Sequence, residues 1–115
     1  MFHVVHHSDQ RKGSIATVEF EGKPYGAGVS FFLGNIEPGK GPGLHQHPYS
    51  EICIVFSGQA AVSVDGKEMV AVAGDVIVIG PATPHRFTAL GDEPLDMVAI
   101  HASDHFVIET FGNSR

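Results

Sequence analysis

The chain has 115 residues, a hydrophobic fraction of 43%, a charged fraction of 17% and a formal charge of −6 with neutral histidines. These values predict one globular domain over residues 1–115. The few basic residues are scattered, which argues against nucleic acid or an anionic membrane as a partner. We find neither an apolar run of about 18 residues nor a secretory signal. The single cysteine, Cys53, forbids an internal disulfide, so we expect a cytoplasmic protein.

Strands and turns are predicted along nearly the whole chain. In chain order, the predicted strands cover residues 14–21, 27–36, 51–56, 60–64, 67–72, 76–79, 86–89, 95–101 and 106–111. The dipeptide Asp65-Gly66 between two β-rich runs is a strong hairpin signal. Strands recur every 8 to 12 residues or so without a sustained helical period, which predicts an all-β sandwich or barrel.

Three candidate metal ligands, His45, His47 and Glu51, fall within one short segment between a glycine-rich loop and an apolar run. Alternate residues of a strand share a face, so both imidazoles point one way, and Glu51, at an even spacing, can return to that face. Antiparallel pairing could place a fourth ligand, His85, opposite them. This set suits one divalent transition metal (Fe, Mn, Ni, Cu, Co or Zn), and an octahedral shell would leave two positions open.

Two segments resemble the two motifs of the cupin superfamily, small single-domain type. In residues 39–58, the first motif is matched at every position, namely Gly39, His45, His47, Glu51 and Gly58. In residues 74–89, Gly74 and His85 match the second motif at the correct separation. Three positions depart from this motif: Gly80 stands in place of proline, Ala82 in place of glycine and Ala89 in place of asparagine. These departures concern the conformation of the turn rather than ligation.

The resemblance implies a conical antiparallel β-barrel of the jelly-roll type, with a metal inside near one mouth. It implies that His45, His47, Glu51 and His85 are the ligands. It also implies a homodimer, formed partly through an N-terminal strand that residues 1–5 would supply.

Strand alternation predicts which other side chains face the metal. Cys53 and Val55 should point inward with Glu51, Phe87 with His85, and either Phe31 or Phe32 should join them. Tyr49 and Gln59 are the candidates for hydrogen bonding a substrate or acting as acid or base. The remaining histidines are interpreted as ordinary hydrogen-bonded or surface residues; they are His3, His6, His7, His101 and His105.

Three functions fit this pattern. The favoured one is a metal-dependent enzyme of the dioxygenase, isomerase or lyase type that acts on a small oxygenated molecule. Such a substrate would be a sugar derivative, a β-diketone, a phenol or a carboxylic acid held at the open metal positions. The alternatives are a ligand-binding or sensing module without catalysis, and a protein whose metal is mainly structural.

Overall fold

The computed structural model describes residues 1–13 and 17–111. In these ranges, no helix combines the length and apolar character needed to span a membrane. The strands are β1 (Arg11–Lys12), β2 (Thr17–Glu21), β3 (Ser30–Ile36), β4 (His45–Gln46), β5 (Glu51–Ser57), β6 (Gln59–Val64), β7 (Lys67–Val72), β8 (Val76–Ile79), β9 (His85–Leu90), β10 (Leu95–His101) and β11 (Glu109–Thr110). Short 3₁₀ helices cover His7–Asp9 and Lys23–Tyr25.

Two antiparallel sheets form a jelly-roll barrel. The larger sheet has the order β1-β2-β3-β10-β5-β8, and the smaller has the order β11-β4-β9-β6-β7. Their facing sides supply a core that includes Ile36, Val55, Val62, Phe87 and Leu95. The predicted all-β barrel is therefore confirmed.

The strand bounds agree with the sequence pattern in the middle of the chain and differ at its ends. Strands β8 and β10 have the predicted limits, and β9 starts one residue early, at His85. The strand predicted over 106–111 is reduced to Glu109–Thr110, and residues 14–16 lie outside the described residues. Residues 1–5, predicted as an edge strand, have no regular secondary structure. Within the described chain, the carbonyl of Val5 accepts a 3.4 Å hydrogen bond from the Gln10 side chain rather than from a neighbouring strand.

The turn between β8 and β9 keeps a left-handed residue although the family's glycine is absent. Ala82 has a φ of 54°, and its N–H donates a 2.8 Å hydrogen bond to the carbonyl oxygen of His47. A side chain at positive φ costs roughly 1–2 kcal/mol because its Cβ crowds the following carbonyl. The hydrogen bond ties this turn to the segment that carries the candidate ligands.

Replacing Ala82 by glycine is expected to stabilise the protein by about 0.5–1 kcal/mol. The change removes the left-handed penalty, and the larger backbone entropy of glycine in the unfolded chain offsets part of the gain. Urea unfolding measures the difference. Ala73 lies in another exposed turn and lacks a positive φ, so Ala73→Gly should destabilise instead. Equal losses in the two variants would contradict the strain at Ala82.

Gly41 lets the glycine-rich loop lie directly against β9. A Cβ at this position would overlap the carbonyl oxygen of Phe87, whereas a Cβ at Gly43 would meet nothing within 4 Å. The loop is further held by the N–H of Ala89, which donates to the carbonyl of Lys40 at 2.9 Å. The absence of a side chain at Gly41 therefore sets how closely the loop approaches the barrel.

Gly41→Ala is expected to destabilise the fold by about 1–3 kcal/mol, since two backbones must separate to admit one methyl group. Gly43→Ala, two residues away in the same loop, is the matched control and should be nearly neutral. Thermal unfolding of both variants tests this difference. A Gly41→Ala variant as stable as the native protein would contradict the close contact with β9.

Candidate metal centre

The four predicted ligands come together where the chain passes from one sheet to the other. His45 in β4 pairs directly with His85 in β9, within the smaller sheet. Glu51 opens β5 in the larger sheet, and His47 lies in the short connection between β4 and β5. One donor atom from each of these four residues lies within 4.8 Å of the others. Opposite ligands of one transition-metal ion are about 4.2 Å apart, so the group is close to the required size.

Backbone carbonyls hold the three imidazoles in one orientation. Nδ1 of His45 donates to Gly43 O at 2.7 Å, and Nδ1 of His85 donates to Thr83 O at 2.8 Å. Nδ1 of His47 donates to the carbonyl oxygen of Tyr49 at 3.2 Å. A carbonyl can only accept, so each neutral ring carries its proton on Nδ1 and presents the lone pair of Nε2 to a ligand.

The centre of the cluster contains buried polar atoms without a hydrogen-bond partner among the described residues. They are Nε2 of His47, Nε2 of His85 and Oε1 of Glu51. Oε1 nevertheless lies 2.6 Å from His47 Nε2 and 3.3 Å from His85 Nε2. Lone pairs this close in a buried site require a positive charge between them, either a proton or a metal ion. The donor set therefore fits a divalent transition metal.

Burial and the mutual contacts of the cluster shift the pKa values of its groups. Burial alone would raise the pKa of Glu51, but the facing imidazoles of His47 and His85 hold it well below the usual range. Burial would lower the pKa of His85, yet the Glu51 carboxylate outweighs that effect and raises it. Burial lowers the pKa of His45, and it lowers the pKa of His101 to about 4. At neutral pH the cluster thus combines an ionised carboxylate with neutral imidazoles at His45 and His101.

His101 is the site residue that the sequence interpretation missed. It is 2% exposed, and its Nε2 lies 3.5 Å from Glu51 Oε1. Its Nδ1 lies 2.6 Å from the hydroxyl of Tyr49, which accepts a hydrogen bond from the N–H of Val107 at 3.1 Å. Because the carboxylate oxygen Oε1 of Glu51 faces Nε2 of His101, we assign the ring proton to Nε2 and the hydrogen of the hydroxyl to Nδ1. Nε2 of His101 is then a donor, opposite to the three candidate ligands.

The other residues predicted to lie near the metal differ in their distance from the cluster. Cys53 is fully buried, and its thiol donates to Glu51 Oε2 at 2.9 Å. Burial raises the pKa of this thiol far above its usual range, and the Glu51 charge adds to the effect, so Cys53 remains a protonated hydrogen-bond donor. The ring of Tyr49 stacks on that of His47 with the centroids 4.7 Å apart, and its hydroxyl contacts His101. Gln59, in contrast, is exposed in β6, and the structure does not bring it to the site.

A cavity of about 400 Å³ opens from the cluster between the two sheets. His45, Glu51 and His101 line one end of it. Phe87 and Phe32 contribute to its walls, which settles the choice between Phe31 and Phe32 in favour of the latter. A small molecule in this cavity can therefore reach the cluster at His45 and Glu51.

A family model described as the cupin domain matches residues 32–101, more than half of the chain. The chain belongs to the cupin family. The match covers both motif segments, so the resemblance stated from the sequence is confirmed. This cupin also shares 34% identity over 56 residues with the uncharacterized protein MJ1618 of Methanocaldococcus jannaschii, covering 48% of this chain and 45% of that protein.

Solved structures similar to this cupin include enzymes with oxalate chemistry. Lactobacillus farciminis oxalate decarboxylase in a formate complex aligns with a TM-score of 0.81 and 26% identity, over 92% of this chain and 35% of that chain. Bacillus subtilis oxalate decarboxylase OxdC aligns with a TM-score of 0.74 and 28% identity, over 83% and 27% respectively. An oxalate oxidase at 24% identity and a TM-score of 0.73, over 86% and 59%, shares the fold. The chain thus spans well under two thirds of each of these proteins.

Proposed function

We propose that this cupin is a metal-dependent enzyme that acts on a small oxygenated molecule. His45, His47, Glu51 and His85 would hold one divalent transition metal. The observation that carries this proposal is a group of buried atoms without a hydrogen-bond partner among the described residues, namely Nε2 of His47 and His85 and Oε1 of Glu51. They lie beside a cavity that His45 and Glu51 line. Related B. subtilis OxdC contains Mn(II) centres, which supports a metal of this class.

The bound metal would supply Lewis-acid polarisation of substrate oxygens or redox chemistry, which covers the dioxygenase, isomerase and lyase types. The protein's own residues would orient the substrate. Nε2–H of His101, fixed by the Tyr49 hydroxyl at 2.6 Å, points into the site and would donate to a substrate oxygen. The apolar walls around Phe32 and Phe87 would exclude water from that hydrogen bond.

Metal analysis and turnover test this proposal together. The protein, purified without chelators or a metal-affinity tag, should contain about one divalent transition metal per chain by elemental analysis. The metal-loaded protein is then assayed against β-diketones, phenols, carboxylic acids and sugar derivatives, with oxygen uptake recorded. Turnover should be lost in His47→Ala, and it should fall in Tyr49→Phe while metal content is kept.

Each contrary outcome has a distinct meaning. Turnover that persists in the His47→Ala variant would contradict the proposal that the protein is a metal-dependent enzyme. A ligand that binds only the metal-loaded protein and is recovered chemically unchanged would favour the sensing module instead. Both outcomes leave the fold unaffected, because neither experiment depends on how the barrel is assembled.

We also propose that the protein is a homodimer, formed through the outer face of the larger sheet. Strand register places two apolar rows side by side on that face. The rows are Phe20-Phe31-Ile100-Ile52-Val78 and Val18-Leu33-Val98-Ile54-Val76. Val78 is 68% exposed and Val76 is 58% exposed. From β2 to β8 neither row contains a charged residue, and such an apolar face suits a second copy of itself across a two-fold axis.

A further inference from the structure

The walls of the cavity are mostly apolar. Six large side chains from both sheets and the C-terminal segment line it: Phe32, Ile36, Phe87, Met97, Ile108 and Phe111. The cavity volume of about 400 Å³ is that of a site for a small organic molecule. A dicarboxylate as small as oxalate would leave most of these walls without contact.

Two carboxylates and no lysine or arginine are found among the described residues that line the cavity. Glu51 lies at the cluster, and Glu19 lines the cavity on β2. Arg11 does not line the cavity; its guanidinium is held by Glu19 at 2.9 Å and by Glu21 at 3.4 Å. Lys40 pairs with Glu37 at 3.1 Å.

The charges around the cavity determine which net charge is favourable for a bound ligand. A divalent ion held by one carboxylate and neutral imidazoles leaves one net positive charge at the inner end. A ligand with one negative charge neutralises it. A dianion leaves a surplus negative charge in apolar surroundings with no lysine or arginine of the described cavity lining to offset it, and that arrangement is costly. A polyhydroxylated sugar is disfavoured for another reason, since many of its hydroxyls would face the apolar side chains that make up most of the lining.

We propose that the ligand of this cavity is a monoanionic oxygen chelator with an apolar body, such as the enolate of an aryl-substituted 1,3-dicarbonyl compound, rather than a dicarboxylate or a sugar. The inference rests on the proposed metal-dependent function and narrows its substrate class. The two oxygens would face the cluster, and the apolar body would pack on Phe32, Phe87 and Met97.

A matched pair of ligands separates chelation from packing. Pentane-2,4-dione and 1-phenylbutane-1,3-dione carry the same chelating group and differ by a methyl against a phenyl. Isothermal titration of desalted Co²⁺-loaded protein should give at least about 10-fold tighter binding for the phenyl compound, as burial of a ring predicts. Oxalate should bind at least about 10-fold more weakly than the phenyl compound, and metal-free protein should bind none of them.

A pair of variants tests the charge argument. Ile108 lines the cavity but is 45% exposed, so Ile108→Arg adds a cation without burying it fully. This variant should bind oxalate about 10-fold more tightly than the native protein, whereas Ile108→Met should leave oxalate binding unchanged. Arg115 lies outside the described residues, so Arg115→Ala is included, and it should preserve the ranking of the ligands.

The outcomes distinguish the two proposals. Protein that retains no Co²⁺ after desalting overturns the proposed metal-dependent function. Metal-loaded protein that binds both diketones equally, or binds oxalate as tightly as the phenyl compound, overturns the proposed substrate class and leaves the metal site standing. Loss of oxalate binding in Arg115→Ala after tight binding in the native protein also overturns the charge argument.

Discussion

Replacing Glu51 by glutamine is expected to lower the affinity for Mn²⁺ by at least about 100-fold. The amide keeps the shape of the side chain but removes the one charge among the four candidate ligands, and loss of groups that only support a ligand already costs about 10–100-fold. Titration calorimetry on metal-free protein measures the affinity. Elemental analysis after desalting measures what each protein retains.

The stability of the two proteins should respond differently to metal. At a concentration of 100 times its Kd, Mn²⁺ should stabilise the native protein by about 2.7 kcal/mol. The same concentration should leave Glu51→Gln nearly unchanged. Without metal, Glu51→Gln should be folded, because its amide can donate to the Nε2 of His47, which lies 2.6 Å from Oε1 of Glu51 and has no hydrogen-bond partner.

The matched control is Glu37→Gln. Glu37 is an exposed carboxylate that pairs only with Lys40 at 3.1 Å among the ion pairs of the described residues, so its loss should change neither affinity nor retention. Stoichiometric metal in Glu51→Gln, with a Kd within a few-fold of the native value, would remove Glu51 from the proposed ligand set. Equal losses in both variants would show that the effect follows overall charge rather than the site.

The sequence predicted the close grouping of the four candidate ligands because their placement follows from local rules. His45, His47 and Glu51 lie in one short segment, so the bend between β4 and β5 brings them together although His47 lies outside both strands and Glu51 belongs to the other sheet. Placing His85 near the other three ligands required a pairing between strands that are distant in the sequence. The direct pairing of His85 with His45 meets this requirement. The second motif departs from the family pattern at Ala82, yet this residue has the left-handed φ of 54°. His85, which follows the turn, therefore still reaches the cluster.

The sequence interpretation missed His101 because Glu51, the residue opposite it, is distant in the chain. Pairing of β10 with β5 sets His101 opposite Glu51, and no local pattern reveals that register. A signal was available: His101 shares the parity of Leu95 and Met97, both buried in β10. Gln59 shows the opposite error, since closeness in sequence to the first motif did not bring its side chain to the site. It lies just past Gly58, whose φ of 81° turns the chain into the second sheet.

The second large effect is expected at the outer face of the larger sheet. Val78→Glu should raise the dissociation constant of the proposed homodimer by at least about 100-fold. Val78 is 68% exposed on the edge strand β8, in register with Ile52 of β5. Two-fold pairing would place two new carboxylates in one apolar interface, and such like-charge juxtaposition costs several kcal/mol. Light scattering coupled to size-exclusion chromatography measures the mass across a dilution series.

Val70→Glu is the matched control for this experiment. Val70 is 55% exposed in β7 of the smaller sheet, so Val70→Glu introduces the same carboxylate on a different face. This variant should keep the mass of a dimer. Equal dissociation in both variants would place the interface elsewhere, and a native protein that runs as a monomer at every concentration would reject the dimer. Because the cavity and the candidate ligands lie on the opposite side of β5, Val78→Glu should retain metal whether or not it dissociates.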